Sequence, residues 1–223
     1  MTRTAIIAAL PGELKRIVPG WKPSKRDGVS LWSHRDDNLW VAACAGAGQS
    51  AATRAFAAIE QDAPIDLVFS LGWAGALKPS LAAGSAHNIG GVIDSRTGER
   101  FRCDADAGDL WLVTSPTVAG HDEKLRLAET YSASLVDMEA AAIARLAQMR
   151  GIPFYAIKGV SDPLDAKLPD FNPFLAPDGR FRTLPFTLYA LFRPWHWPAL
   201  LQMGENSKKA SQSIADLLVE FLR

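Results

Sequence analysis

Three acidic residues occupy positions at which carboxyl groups could act together as acids and bases. Glu13, Glu139 and Asp162 each follow a short apolar segment and stand at a predicted junction between a strand and a helix or turn. Each one alone has an ordinary explanation, because a carboxylate in a first helical turn favours the helix dipole and an aspartate often accepts hydrogen bonds from turn amides. Because ligands of α/β proteins bind beyond the carboxyl ends of the strands, we expect the three side chains to converge.

The elements that would position these acids alternate between strand and helix. Buried strands are predicted over residues 5–10, 66–71, 110–114 and 154–160, a hairpin over 30–44, and helices over 13–18, 50–61, 122–131, 138–150 and 207–222. Such alternation predicts an α/β fold, a three-layer α/β/α sandwich around a mixed, largely parallel sheet. Three predicted loops, at residues 11–13, 72–75 and 161–162, then lie at the carboxyl ends of the strands.

Length, composition and charge exclude several classes of protein. The chain has 223 residues, of which 48% are hydrophobic and 22% are charged. These values predict one domain over residues 1–223 and argue against a disordered, collagenous or coiled-coil protein. Twenty-four basic residues balance 24 acidic ones, so no overall charge draws the chain to nucleic acid, and we expect no nucleic-acid partner.

The cysteines and histidines predict neither a disulfide framework nor a metal site. Cys44 and Cys103 are too few and too far apart in sequence, and the four histidines lack the spacing of metal ligands. We therefore expect no metal. The apolar run over residues 4–10 is too short for a membrane span and makes a poor signal sequence, so the expected compartment is the cytoplasm.

A glycine-rich turn at residues 46–51 satisfies the loose dinucleotide-binding pattern, because it follows a strand and opens a helix. In that fold an acidic residue at the far end of the next strand binds the ribose, whereas Asp66 stands at the start of its strand. A tight turn whose amides meet another polar ligand is the favoured interpretation. Residues 72–75 contain no serine, which argues against the nucleophile elbow of an α/β-hydrolase.

Residues 165–197 form a predicted insertion before the last helix, rich in proline and aromatic side chains. The part between Gly179 and Gly204 contains Arg180, Arg182 and Arg193 but no acidic residue. Three roles stay open for this segment: a contact with a membrane surface, one wall of an apolar pocket, or a contact between subunits.

Two motifs carry a resemblance to a known family. Residues 136–142 read Val-Asp-Met-Glu-Ala-Ala-Ala, and residues 157–162 read Ile-Lys-Gly-Val-Ser-Asp. With the acidic loop at Glu13, the glycine turn at residues 44–48 and the Gly-x-Ala-Gly segment within residues 71–77, they resemble the purine nucleoside phosphorylase and methylthioadenosine/adenosylhomocysteine nucleosidase superfamily. The resemblance covers residues 4–163 and the terminal helix.

The resemblance implies a role for each acid. Glu139 and Met138 would contact the ribose hydroxyls, Asp162 would meet the purine base, and Glu13 would lie near the nucleophile. The other residues implied around the substrate are Trp73, Ala74, Gly75, Lys158 and Ser161. It also implies a homo-oligomer that needs no cofactor, with phosphate as an optional co-substrate.

The chemistry of such a site can be stated from the reaction. Breaking an N-ribosidic bond develops positive charge on the sugar and negative charge on the departing purine. A protonated Asp162 would donate to the base, which requires burial to raise the pKa of its carboxyl. Glu139 would stabilise the cationic sugar through a ribose hydroxyl, and Glu13 would take a proton from attacking water.

The chain also departs from the family pattern around the expected nucleophile. Trp73 stands where the nucleosidases usually have serine, and Lys158 stands where they have arginine, so the planar two-pronged geometry is lost. Phosphorylases generally supply arginines for phosphate, and Arg54 is the one candidate beside the glycine turn. The choice between water and phosphate as acceptor therefore stays open.

The insertion resembles a hopanoid-associated branch of the phosphorylase family, which implies an adenosyl compound with an apolar 5′ group such as adenosylhopane. Such a substrate would need an apolar, open-ended channel and favours contact with a membrane. The leading hypothesis is cleavage of the N-glycosidic bond of an adenine nucleoside. The alternatives are a methylthioadenosine/adenosylhomocysteine nucleosidase, a nucleoside-binding protein without turnover, and a dinucleotide-dependent oxidoreductase.

Overall fold

Eleven strands form one mixed sheet in this computed structural model, which describes residues 2–36, 39–104 and 108–221. The strands are β1 (Thr4–Ala8), β2 (Lys22–Arg26), β3 (Val29–Ser33), β4 (Trp40–Cys44), β5 (Leu67–Ala76), β6 (Ala86–Asn88), β7 (Gly91–Asp94), β8 (Arg100–Arg102), β9 (Trp111–Thr114), β10 (Leu135–Asp137) and β11 (Phe154–Asp162). Parallel pairs join β4 to β1, β1 to β5, β5 to β11, β7 to β9 and β9 to β10. The other pairs are antiparallel, which makes the sheet mixed.

Helices cover both faces of the sheet. They are α1 (Pro11–Leu14), α2 (Gln49–Glu60), α3 (His121–Tyr131), α4 (Ala140–Arg150), α5 (Thr183–Leu191) and α6 (Trp197–Phe221). Along β1, Ala5 and Ile7 pack into the core shared with α2 and α4, whereas Ile6 and Ala8 pack into the core shared with α1 and α6. Alternate side chains of one strand thus enter opposite layers, and the predicted α/β/α sandwich is confirmed.

Two segments predicted as loops are strand instead. Residues 72–75 belong to β5 and residues 161–162 belong to β11, because these strands pair in parallel from Phe154 to Asp162. The register shifts between Val160 and Asp162, which is a bulge of the kind that redirects a side chain. The ends of both strands therefore carry site residues on rigid, paired backbone.

Other differences concern short or irregular elements. β2, β6, β7, β8, β10 and α5 were not predicted. Strands of three residues, such as β10, are too short to show alternation of polar and apolar side chains. α6 begins at Trp197, ten residues before the predicted Ser207, and the predicted helix end at residue 222 lies outside the described residues.

The described ranges contain no helix that is both long enough and apolar enough to cross a membrane. In the same ranges, no group of three or more histidine, cysteine, aspartate or glutamate side chains could hold a metal ion. The single domain over residues 1–223 stays a prediction.

Candidate active site

All but one of the predicted site residues line one pocket formed by β5, β10, β11 and the segment after β1. This pocket has a volume of about 150 Å³. The predicted residues in its lining are Glu13, Trp73, Ala74, Gly75, Met138, Glu139, Ser161 and Asp162. Lys158 does not line it and is 1% exposed. The three acids therefore converge, as expected from their positions near the ends of strands. Their individual roles stay predictions.

Glu13 is held by two backbone amides. Its Oε1 accepts a hydrogen bond from the N–H of Trp73 at 2.7 Å, and its Oε2 accepts one from the N–H of Leu10 at 2.7 Å. Burial raises the pKa of the Glu13 carboxyl, against the effect of these two hydrogen bonds. Gly72 is required beside it, because its φ is +145° and a Cβ there would lie 2.6 Å from Oε1 of Glu13.

Glu139 links the glycine turn to the beginning of α4, where it is the N-cap residue. Its Oε1 accepts a hydrogen bond from the N–H of Gly48 at 2.6 Å. Burial, followed by repulsion from Asp137, raises the pKa of Glu139 to about 8. Two carboxyls with raised pKa values in one pocket are a common property of catalytic sites.

The raised pKa of Glu139 predicts how stability depends on pH. The ordinary pKa of this carboxyl is 4.5, so between that pH and about 8 the folded protein holds a proton that the unfolded chain releases. Stability therefore falls as pH rises through this window, by at most about 1.4 kcal/mol per pH unit.

We expect the Glu139→Gln variant to escape this loss. Its melting temperature should exceed that of the native protein by a few degrees at pH 8 and by less at pH 5, with thermal unfolding followed by circular dichroism. The exposed Glu129→Gln is the matched control. A difference in melting temperature that is the same at both values of pH would contradict the raised pKa.

Asp137 and Lys158 form a buried ion pair behind the pocket, with 2.9 Å between Nζ and Oδ2. Asp137 also accepts hydrogen bonds from Thr114 Oγ1 at 2.7 Å and from the N–H of Ala140 at 3.0 Å. Burial works to lower the pKa of Lys158, but the charges of Asp137 and Glu139 outweigh it and the pKa is raised. Lys158 thus supports the end of β10 and the start of α4 and does not line the pocket, while its predicted contact with substrate stays a prediction.

Asp162 has a partner that the sequence did not predict. The ammonium of Lys124, on α3, donates to Oδ2 of Asp162 and also to the carbonyl oxygen of Pro163, the latter at 2.7 Å. Oδ1 of Asp162 accepts a hydrogen bond from Ser161 Oγ at 2.6 Å. Lys124 is 2% exposed, and a Cβ at Gly75 would lie 2.9 Å from its Cε. Glycine at this position of β5 therefore leaves the space that the ion pair needs.

A larger cavity adjoins the catalytic pocket. It measures about 570 Å³ and shares Trp73 and Met203 with that pocket. Its other lining residues are Gly12, Lys15, Arg16, Phe171, Leu200, Gly204, Ser207, Lys208 and Ser211. Trp73 is fixed between the two spaces, because its Nε1 donates to Ser211 Oγ at 2.9 Å. The bulky Trp73 thus separates the pocket from the larger cavity, and its indole ring is held against α6.

A third space lies beside the glycine turn, with a volume of about 340 Å³. Arg96 lines it and donates a hydrogen bond to Oε1 of Gln49, while Nε2 of Gln49 is buried without a partner. Thr117 and Met138 line both this space and the catalytic pocket. The predicted Arg54 lies beside the glycine turn but does not line this space, and its guanidinium donates to the carbonyl oxygens of Ala45 and Asp178.

Comparison with known proteins finds a family model that part of this chain resembles. The family model of the phosphorylase superfamily matches residues 97–178. The predicted resemblance to the phosphorylase superfamily is confirmed. A search of curated protein sequences finds no match.

Solved structures of nucleosidases and of a futalosine hydrolase are similar in fold over nearly the whole chain. The 5′-methylthioadenosine/S-adenosylhomocysteine nucleosidase from Helicobacter pylori has a TM-score of 0.74 and 14% identity, covering 100% of this chain and 98% of that one. The corresponding nucleosidase from Neisseria meningitidis has a TM-score of 0.72 and 19% identity, covering 100% and 99%. The futalosine hydrolase of Helicobacter pylori has a TM-score of 0.74 and 14% identity, covering 99% and 97%. At these identities the likeness shows the fold.

Two residues of the site, Lys124 and Arg96, were not predicted from the sequence. Lys124 had a usable signal, because it shares one face of α3 with the buried Leu127, three residues later. A lysine on the apolar face of a helix needs a buried partner. Arg96 had no such signal, since it lies in the turn between β7 and β8 and reaches the glycine turn only through the tertiary fold.

Proposed function

We propose that the protein cleaves the N-glycosidic bond of a purine nucleoside and releases the base, with adenine as the preferred base. The observation that carries this proposal is the convergence of Glu13, Glu139 and the Lys124–Asp162 pair on one small pocket. These groups match the three requirements of the reaction: a proton for the leaving base, negative charge near the sugar, and a base for the attacking water.

The departing purine takes a proton as the bond to the sugar breaks. Asp162 is the group that faces the base, and the Lys124 ammonium on its Oδ2 is the nearest source of that proton. We infer that a proton moves from the Lys124 ammonium to the Asp162 carboxylate and from there to a nitrogen of the base, which leaves Lys124 neutral until it is protonated again after the base departs. Ser161 orients the carboxyl by donating to the other oxygen at 2.6 Å.

Glu139 and Glu13 act on the sugar side. Glu139 accepts a hydrogen bond from a ribose hydroxyl, and above its pKa of about 8 its carboxylate stabilises the positive charge that develops on the ring. Glu13, fixed by the amides of Leu10 and Trp73, removes a proton from water as the oxygen attacks the anomeric carbon. We therefore expect 2′-deoxy nucleosides to lose less activity than ribonucleosides in the Glu139→Gln variant.

The experiment that tests this function is an assay of base release. The protein is incubated with adenosine, methylthioadenosine and inosine in phosphate-free buffer and again with phosphate, and the products are separated by liquid chromatography. Free adenine from the first two substrates supports the proposal. Binding without release would favour the nucleoside-binding alternative.

Phosphorolysis is the second candidate function, and Arg96 is the observation that favours it. Its guanidinium stands beside the glycine turn, where backbone N–H groups can bind an anion, and the space there adjoins the catalytic pocket through Met138. If phosphate is the acceptor, Arg96→Ala should raise the KM for phosphate tenfold or more, by about 1.5 to 3 kcal/mol of lost charged hydrogen bonding. The surface Arg126→Ala, whose guanidinium pairs with Glu123, is the control.

The adjoining cavity leads us to propose an apolar group on the 5′ side of the substrate, as in an adenosyl-linked triterpenoid such as adenosylhopane. Trp73, Leu200 and Met203 supply an apolar wall, and the cavity volume of about 570 Å³ exceeds what a methylthio group fills. Trp195 and Trp197 belong to the insertion that the sequence offered as one wall of an apolar pocket, but they are absent from the lining of this cavity and are 68% and 45% exposed.

The Leu200→Asp variant tests the cavity. It should raise the KM for a soluble 5′-alkylthio adenosine about tenfold or more, since burying one leucine is worth roughly 1.5 to 3 kcal/mol. Adenosine should be cleaved as before. The neighbouring Leu201→Asp is the matched control, because Leu201 is 71% exposed and does not line the cavity. Equal losses in both variants, or on both substrates, would reject the 5′ assignment.

A further inference from the structure

One surface formed by the insertion and the start of α6 is apolar and exposed. It consists of the side chains of Leu184, Leu188, Leu191, Phe192, Trp195 and Leu201, and we call it the apolar face. Their exposed fractions are 71%, 50%, 57%, 74%, 68% and 71% in that order. Contiguous exposed apolar surface on a protein marks a site of interaction.

The residues of the apolar face belong to one surface because α5 and α6 are joined. Leu184, Leu188 and Leu191 are spaced at four and three residues, so they form a single stripe along α5. Trp197, at the start of α6, donates from Nε1 to the carbonyl oxygen of Ala190 at 2.8 Å. This hydrogen bond holds the start of α6 against the end of α5, with Trp195 two residues before Trp197 and Leu201 one helical turn after it.

The opposite side of α5 is already packed. Phe186 lies 5.3 Å from Phe171 and 5.3 Å from Phe174 between ring centroids, and Tyr189 lies 5.1 Å from Phe174. α5 is therefore apolar on both sides, and a helix of that composition is normally covered all round. In the described residues the aromatic cluster covers one side, and the apolar face looks outward.

The charges around the apolar face indicate what covers it. Residues 179–204 contain Arg180, Arg182 and Arg193 and no acidic residue, which gives this stretch a formal charge of +3 from three arginines. Arg182 precedes α5 and Arg193 follows it, so positive charge stands at both ends of the stripe. Arg180 is paired with Asp178 at 3.3 Å, which leaves Arg182 and Arg193 as the cations without an acidic partner among the described residues.

We propose that the apolar face docks on a lipid bilayer that contains anionic lipid. Leucine, phenylalanine and tryptophan flanked by arginine are the composition of segments that lie in the plane of a membrane interface. A second copy of the chain is the poorer occupant, because a two-fold contact through this face would bring the arginines of one copy near those of the other.

Docking would also bring the larger cavity close to the bilayer. Leu200 lines that cavity, and Leu201, the next residue of α6, belongs to the apolar face. An apolar substrate dissolved in lipid would then enter beside the surface on which the protein rests. This consequence rests on the proposed function, whereas the docking itself does not.

Vesicle sedimentation tests the docking. The full chain is mixed with phosphatidylcholine vesicles, with and without phosphatidylglycerol, and the bound fraction is measured. Binding should require phosphatidylglycerol and should weaken as salt rises from about 0.1 M to about 1 M, because screening shortens from about 10 Å to about 3 Å. Bound protein should show a blue shift of tryptophan fluorescence.

Two sets of variants identify the surface. The triple variant Leu188→Ser, Phe192→Ser and Trp195→Ser should lose vesicle affinity by about 100-fold or more. Its control replaces three exposed apolar residues outside the face, Leu125→Ser, Met149→Ser and Val219→Ser, and should bind as the native chain does. The charge variant Arg182→Glu with Arg193→Glu should lose the preference for phosphatidylglycerol.

The docking would be overturned if the native protein did not bind anionic vesicles, or if the triple variant bound them as well as the native chain. It would also be overturned if the only change in the triple variant were a molecular mass, measured by light scattering, of half the native value. The last would assign the face to a contact between copies. Cleavage of adenosine without vesicles should be unchanged in the triple variant. A native protein that docks but cleaves nothing would reject the proposed function and leave the docking in place.

Discussion

Replacing Asp162 with asparagine should lower the rate of adenine release by about 100-fold or more, the usual size of general acid–base catalysis. Asparagine keeps the shape of the side chain and its contact with Ser161, but it cannot pass a proton from Lys124 to the base. The loss should fall on kcat rather than on KM, because the shape of the pocket is retained. Both constants follow from the rate of adenine release over a range of substrate concentrations, measured by chromatography of samples quenched at successive times.

Lys124→Met should lower the rate of adenine release by a similar factor. If Asp162 acted without Lys124, this variant would lose much less activity. Each single variant leaves one buried charge without its partner, which costs about 3 to 5 kcal/mol of stability. The double variant Lys124→Met with Asp162→Asn has no unpaired charge and should recover stability without recovering activity. The exposed Lys25→Met, far along the chain from these residues and absent from the lining of the pockets, is the control for loss of a lysine.

Recovery of activity in the double variant would mean that the pair only maintains the fold. Full activity of Asp162→Asn would remove Asp162 from the chemistry. Folding of each variant is checked by circular dichroism and thermal unfolding before rates are compared.

The Glu13→Gln variant should lose hydrolysis by about 100-fold or more, because water must give up a proton as it attacks. Both oxygens of Glu13 accept backbone N–H groups, so the amide nitrogen of glutamine must face one of those donors. Binding of a non-cleavable adenosine analogue, measured by calorimetry, should change much less than kcat. This separates a lost base from a collapsed pocket.

Gly72→Ala provides an independent way to displace the same carboxyl. The added Cβ would lie 2.6 Å from Oε1 of Glu13, so the side chain must move although its chemistry is intact. We expect a loss of activity in the same direction as Glu13→Gln. Hydrolysis at the native rate in both variants would contradict the role of Glu13, and a requirement for phosphate in the native protein would withdraw its role as a base for water.

The sequence predicted the layers of the fold because long apolar segments and helical periodicity report burial directly. β1, α2, α3 and α4 lie close to their predicted ranges for this reason. β5 and β11 were predicted too short, since Gly72 and Ser161 look like turn residues while strand pairing across the sheet holds them extended. Pairing between distant segments is a tertiary property that local composition does not encode.

Only some residues of the site could be predicted from the sequence. Glu13, Glu139 and Asp162 could be found because each stands at the end of an element and matches a family motif. Lys124 and Arg96 reach the site across 38 and 47 residues of sequence, to Asp162 and Gln49. Such contacts exist only once the sheet is assembled. The ion pair of Lys158 was not predicted for the same reason, because its partner Asp137 lies on another strand.

The most direct test of the account is the quantity of adenine that the native protein releases from a 5′-alkylthio adenosine in phosphate-free buffer, beside the Asp162→Asn variant at the same protein concentration. We expect many turnovers, with adenine and free sugar in equal amounts, from the native protein and about 100-fold less from the variant. Nucleoside that is bound by both proteins and recovered intact would contradict it.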